Sequence, residues 1–108
     1  MKKFDTIKVT QMPDVLAQDG AMLLDCRLLR DYRAGHIDAA LHAHDELVES
    51  LIRKADKALP LVIYCYHGHS SEHLAELFGN FGFNKVYSVE GGYAAYEALQ
   101  QAHSQDLL

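Results

Sequence analysis

A four-residue apolar run, Leu61-Val62-Ile63-Tyr64, leads directly into Cys65-Tyr66-His67-Gly68-His69-Ser70-Ser71 and then into a helical pattern. The run follows Pro60 and is too short for a helix. Its continuous β-branched and aromatic character predicts a central strand buried on both faces, because a strand with one wet face would alternate. Beyond the loop, Leu74, Ala75, Leu77, Phe78 and Phe81 recur at helical spacing and predict a helix facing the core and ending near Gly82. The Cys65 segment is therefore expected to be a strand-to-helix turn.

The rest of the chain repeats this alternation. Thr10 is a candidate N-cap, with Pro13 in the first turn, for a short helix ending before Asp19-Gly20. Ala21 to Cys26 reads as a buried strand. Asp45 is expected to cap a helix whose Leu47, Val48, Leu51, Ile52 and Ala55 share one face. Lys85 to Val89 reads as a further strand and Gly91-Gly92 as a turn. Tyr93 to about Gln101 is then a last helix with Tyr96 and Leu99 inward. Alternating strands and helices predict an α/β fold with a mainly parallel sheet covered on both faces. In such sheets ligands gather where strands end and helices begin.

The 108 residues support one core, and no repeat or linker divides them, so the expectation is a single domain over residues 1–108. A hydrophobic content of 49% and a charged content of 23% fit a folded globular protein. The net charge of -5, with no basic run, argues against nucleic acid as a partner. No apolar stretch approaches the roughly 20 residues of a membrane helix. Charge at Asp5 and Lys8 interrupts any export signal after Met1-Lys2-Lys3. A cytoplasmic protein without membrane attachment is expected, with both cysteines as free thiols.

Cys65 stands where unpaired N–H groups and a helix dipole favour negative charge, which shifts a thiol toward the nucleophilic thiolate. Gly68 lets the loop fold its N–H groups toward one point. Tyr66, His67, His69, Ser70 and Ser71 surround the same loop, with donors able to hold an oxyanion. No acidic residue enters before Glu72. The bland alternative is a buried, inert cysteine at a strand end.

Three segments resemble the rhodanese-like superfamily, and within it the bacterial single-domain thiosulfate sulfurtransferases. Leu23-Leu24-Asp25-Cys26-Arg27 with Asp31-Tyr32-Arg33-Ala34-Gly35-His36-Ile37 is similar to a first signature of the form LLDvR followed by EYxxGHIPGA. Cys65-Tyr66-His67-Gly68-x-Ser70-Ser71 resembles the active-site loop. Gly82 through Tyr96 is similar to a closing GFxxVyxleGGxxaW pattern.

The resemblance implies a five-stranded parallel sheet with helices on both sides, no cofactor, and Cys65 as a sulfur-carrying nucleophile. Thiosulfate or a persulfide would be the donor. Cyanide or a thiol, including one on a thioredoxin-like protein, would be the acceptor; the alternative is a non-enzymatic persulfide carrier or partner-binding module of the same family. Asp38-Ala39 replaces Pro-Gly and Tyr96 replaces Trp, changes expected to affect packing. Ser70 stands where many relatives end the loop with Arg or Lys. Related phosphatases have a longer loop closed by an arginine that clamps phosphate; no arginine follows Cys65 here.

Arg27 is a candidate for attracting an anionic substrate, and Asp25 for fixing the loop by a hydrogen bond. His36 is expected to make a buried hydrogen bond to backbone. Cys26 is expected to pack as a small apolar residue where the signature has valine, with a resolving thiol as the alternative. His42-x-His44 and His67-x-His69 with His73 are short histidine clusters, and no metal site is expected from them.

Overall fold

In a computed structural model, which describes residues 2–106 and side chains through Ser104, five strands form one sheet. They are β1 (Asp5–Ile7), β2 (Met22–Asp25), β3 (Leu41–His42), β4 (Leu61–Tyr64) and β5 (Val86–Val89). Their order is β1-β5-β4-β2-β3, and every neighbouring pair is parallel. The helices are α1 (Met12–Leu16), α2 (Leu29–Ala34), α3 (Asp45–Lys54), α4 (Ser70–Asn80) and α5 (Gly92–Asp106). A 3-10 turn, Val9–Gln11, precedes α1.

β4 is central, and the sheet explains its composition. Val62 and Tyr64 point to one face, where Met12 of α1, Tyr32 of α2 and Tyr93 and Tyr96 of α5 pack. Leu61 and Ile63 point to the other, against Leu51 of α3 and Ala75 and Phe78 of α4. Both faces are covered, so no position in β4 is free to be polar. Its four residues are 0% exposed, and each aliphatic side chain buried this way contributes about 1.5–3 kcal/mol.

Several local expectations need correction. Thr10 lies inside the 3-10 turn rather than capping α1, whose N-cap position is held by Gln11. Asp45 is the first residue of α3, not its cap: His44 takes that place, its Nδ1 accepting from Leu47 N at 3.3 Å. Asp45 still favours the helix start through the dipole. On α4 the buried stripe is narrower than its apolar pattern, for Leu77 and Phe81 are 39% and 53% exposed. The last helix begins at Gly92 and continues past Gln101 to Asp106, with Tyr96 and Leu99 half-buried.

The turn after His36 shows what replaced the Pro-Gly of the resembling pattern. Ala39 has φ +69°, the only non-glycine with positive φ among the described residues. That conformation costs an L-residue about 1–2 kcal/mol and suits glycine.

Candidate active site

Parallel strands bring their C-terminal ends to one edge of the sheet. Cys26 leaves β2 there, the Cys65 loop leaves β4, and Glu90-Gly91-Gly92 leaves β5. The site is thus assembled from three adjacent strand ends.

The loop folds back on the Cys65 sulfur. Gly68 N donates to Sγ at 3.1 Å and Ser71 N at 3.3 Å, while Ser71 Oγ lies 3.4 Å away. Ser71 is in the first turn of α4, so its N–H is one that no helical carbonyl claims. Ser71 Oγ also shares a 2.8 Å hydrogen bond with Ser88 Oγ from β5, and both serines are buried. With Ser88 donating, the Ser71 hydroxyl is free to point its own proton at sulfur.

Gly68 has φ +104°, and a Cβ there would sit 3.2 Å from Gly91 N. The end of α5 clamps the loop from behind: Tyr93 N donates to Cys65 O at 2.8 Å and Ala94 N to Tyr66 O at 3.1 Å. This approach requires Gly92, where φ is +56° and a Cβ would lie 2.4 Å from Cys65 O.

Cys65 is 2% exposed, yet its thiol is held down to about 4. The largest cause is the neighbouring Cys26 thiol. Burial opposes ionisation, and the Ser71 hydroxyl, Ser71 N–H and Gly68 N–H each favour it. Cys26 is pushed the other way, upward, first by the neighbouring Cys65 sulfur, then by burial and by the negative charge of Cys65. At neutral pH the arrangement is a Cys65 thiolate beside a protonated Cys26.

Of the loop residues expected at the site, Gly68 and Ser71 converge on sulfur with Cys65. His67, His69 and Ser70 are exposed on the rim. His67, Gly68 and His69 border an open depression shared with Thr6, Glu72, Ser88, Glu90 and Gly91. Tyr66 turns toward α2, its hydroxyl accepting from Leu28 N at 3.1 Å and donating to Asp31.

The structure places Arg27 in a buried ion pair. Its Nη2 meets Asp25 Oδ2 at 2.8 Å and donates to Gly35 O at 2.6 Å, and its guanidinium stacks 3.9 Å from the Tyr93 ring centre. Asp25 accepts from Arg27 N and Nε rather than from the Cys65 loop. The pair holds the chain after β2 against the α2 turn and α5, one step from Cys26. His36 makes its backbone hydrogen bond, Nδ1 to Tyr32 O at 2.8 Å, but on the surface and stacked on Tyr32.

Among the described residues no three His, Cys, Asp or Glu side chains group to hold a metal ion. His42 is engaged with Arg27 O at 2.7 Å and His44 with the start of α3. No helix among the described residues is long and apolar enough to cross a membrane.

One contributor escaped the sequence reading, and one was read there chiefly as packing. Ser88 is a small polar residue between Tyr87 and Val89 of β5, and that incongruity was its one signal. Cys26 does pack with the core around Leu24 and Ile63 as expected, and it also faces the nucleophile.

Comparison with known proteins bears on the family and the fold. Residues 9–99 match the rhodanese-like domain. A thiosulfate sulfurtransferase GlpE of Pseudomonas putida is 36% identical over 104 residues, 96% of this chain and 94% of the relative. The GlpE of Shewanella oneidensis is 34% identical over 96 residues, 89% of this chain and 95% of the relative. Among solved structures, the human single-domain sulfurtransferase TSTD1 superposes with a TM-score of 0.74 at 20% identity, covering 86% of this chain and 95% of that one. The rhodanese-like domain of an Anabaena protein gives 0.75 at 22% identity, covering 92% and 76%. With a family match over residues 9–99 and relatives 34–36% identical across nearly their whole length, the chain belongs to the rhodanese-like domain family.

Proposed function

We propose that this protein is a sulfurtransferase that moves sulfane sulfur from thiosulfate, or from a persulfide donor, to cyanide or a thiol through a Cys65 persulfide. The observation that carries this reading is the Cys65 sulfur, buried and surrounded by hydrogen-bond donors that favour its thiolate, with no cationic side chain in the loop. Such a sulfur is a nucleophile at neutral pH, and its charge is balanced by neutral dipoles that do not trap a dianion.

In the first step Cys65 Sγ attacks the outer sulfur of thiosulfate, the S–S bond of the donor breaks, and sulfite leaves with the electron pair. In the second, cyanide or a thiolate attacks the outer sulfur of the persulfide and Cys65 leaves as thiolate. No net oxidation of the protein occurs. The low Cys65 pKa makes it a good leaving group in that second step. Gly68 and Ser71 hold the inner sulfur, and the loop of Tyr66, His67, His69 and Ser70 forms the mouth through which donor and acceptor enter. Asp25 and Arg27 support that mouth from below rather than meeting the anion.

The thiol acceptor in this reading includes the exposed thiol of a thioredoxin-like protein. Leu28 and Tyr66, 57% and 37% exposed, give the rim an apolar surface for such a partner. A reducing, cytoplasmic compartment fits two cysteines that are both free.

Intact mass after thiosulfate, then after cyanide, tests the reading. One added sulfur that maps to Cys65, is removed by cyanide, and is missing in Cys65→Ala is expected. An unchanged wild-type mass with thiosulfate and with a small persulfide donor would refute it.

A further inference from the structure

Cys26 and Cys65 are neighbours by construction of the sheet. β2 and β4 pair in parallel with Asp25 opposite Tyr64, and the ladder continues one residue further, since Cys26 N donates to Tyr64 O at 2.9 Å. Paired positions on adjacent strands lie about 4.8 Å apart, inside the Cα separation of roughly 4.4–6.8 Å that a disulfide spans. Alternation puts both side chains on the α4 face, where Cys26 packs beside Leu24 and Ile63. In the two-step sulfur transfer above Cys26 tunes the nucleophile but makes and breaks no bond, and it is a half-buried thiol beside Cys65.

We propose that Cys26 resolves the Cys65 persulfide, so that the protein also releases its cargo as sulfide and forms a Cys26–Cys65 disulfide. This rests on the Cys65 persulfide proposed above. The Cys26 thiolate attacks Sγ of Cys65, a Cys26–Cys65 bond forms, and the bond from Sγ to the outer sulfur breaks. The outer sulfur leaves as hydrosulfide with the electron pair, and the proton of Cys26 passes to solvent or to the leaving sulfide. The sulfane sulfur is reduced by two electrons, and each cysteine sulfur is oxidised by one. An external dithiol then reduces the disulfide and closes the cycle.

The electrostatics order these events. Before loading, the neighbouring Cys65 sulfur and its charge keep Cys26 protonated. Persulfide formation moves the charge from Sγ to the outer sulfur, so those two influences on Cys26 weaken and the resolving thiol is released when there is a persulfide to resolve.

The test is a single turnover of the full chain with thiosulfate and no added thiol, compared with Cys26→Ser and Cys26→Val, two variants that guard against a folding defect in either. Sulfide is quantified, alkylatable thiols are counted, and intact mass is followed. Wild type is expected to release about one sulfide per chain, to end two hydrogens lighter than the reduced protein, and to resist alkylation at both cysteines. The variants are expected to retain the added sulfur on Cys65 and to release about a tenth as much sulfide or less. A wild-type persulfide that lasts as long as in the variants, or an added sulfur that maps to Cys26, overturns this inference and leaves sulfur transfer standing. No sulfur uptake and no sulfide from any of the three proteins overturns both.

Discussion

Replacing Gly92 by alanine should loosen the catalytic loop from a position outside it. A Cβ at residue 92 would lie 2.4 Å from Cys65 O and 2.8 Å from Tyr66 C, so helix and loop must separate by about 1 Å to reach ordinary contact. The φ of +56° adds about 1–2 kcal/mol of strain for an L-residue. Separation also weakens the Tyr93 N to Cys65 O and Ala94 N to Tyr66 O hydrogen bonds, worth about 1 kcal/mol each. The expected loss is about 3–4 kcal/mol, which leaves a folded chain within the usual margin of 5–15 kcal/mol, as an order of magnitude. A misplacement of about 1 Å at a reacting group costs roughly a hundredfold in rate. Urea denaturation measures the first number, and transfer of sulfur from thiosulfate to cyanide measures the second. A variant within about 1 kcal/mol of wild type and within about twofold in rate would refute the claim that the α5 end positions the sulfur.

The pH dependence has a definite sign: Cys65 is charged above its folded pKa, so its alkylation rate should hold from neutral pH downward and fall only as pH drops through about 4. An inflection near the ordinary thiol value would contradict the geometry, and Cys26→Val should move the inflection upward. Arg27→Met leaves Asp25, 0% exposed, without its ion-pair partner. It should cost about 3–5 kcal/mol by urea midpoint, with Asp25→Asn recovering part in the double variant; an exposed, substrate-attracting arginine would instead change KM at constant stability. Ala39→Gly should stabilise by about 0.5–1 kcal/mol, the relief of a positive φ less the entropy of glycine in the unfolded chain, read as a rise in Tm.

The elements that sequence periodicity exposed are those with deep burial. β4 is apolar throughout because helices cover both its faces. α3 and α4 each carry a stripe, while β2 and β5 are bounded by turn residues. β1 and β3 left no pattern: one has three residues with only Ile7 buried, the other just two, and they became expectations solely through the family resemblance. α2 escaped for the same reason, since none of its residues is fully buried.

At the site, the loop chemistry was legible because Cys65, Gly68 and Ser71 are close in sequence. Cys26 comes beside Cys65, and Ser88 meets the Ser71 hydroxyl, only through strand register, 39 and 23 positions from Cys65 along the chain. The roles expected for Asp25 and Arg27 changed because each found the other, and a two-residue spacing at a strand end did not announce that pairing.

The dependence of the loop on β5 and α5 also sets the order in which the site is assembled during synthesis. Both sulfurs are in the polypeptide by residue 65, yet the Ser88 hydroxyl and the N–H groups of Tyr93 and Ala94 come from the last quarter of the chain. A nascent chain halted before Ser88 lacks the Ser71–Ser88 hydrogen bond and the two N–H groups that clamp the loop. The clamp on the loop therefore arrives only with β5 and α5.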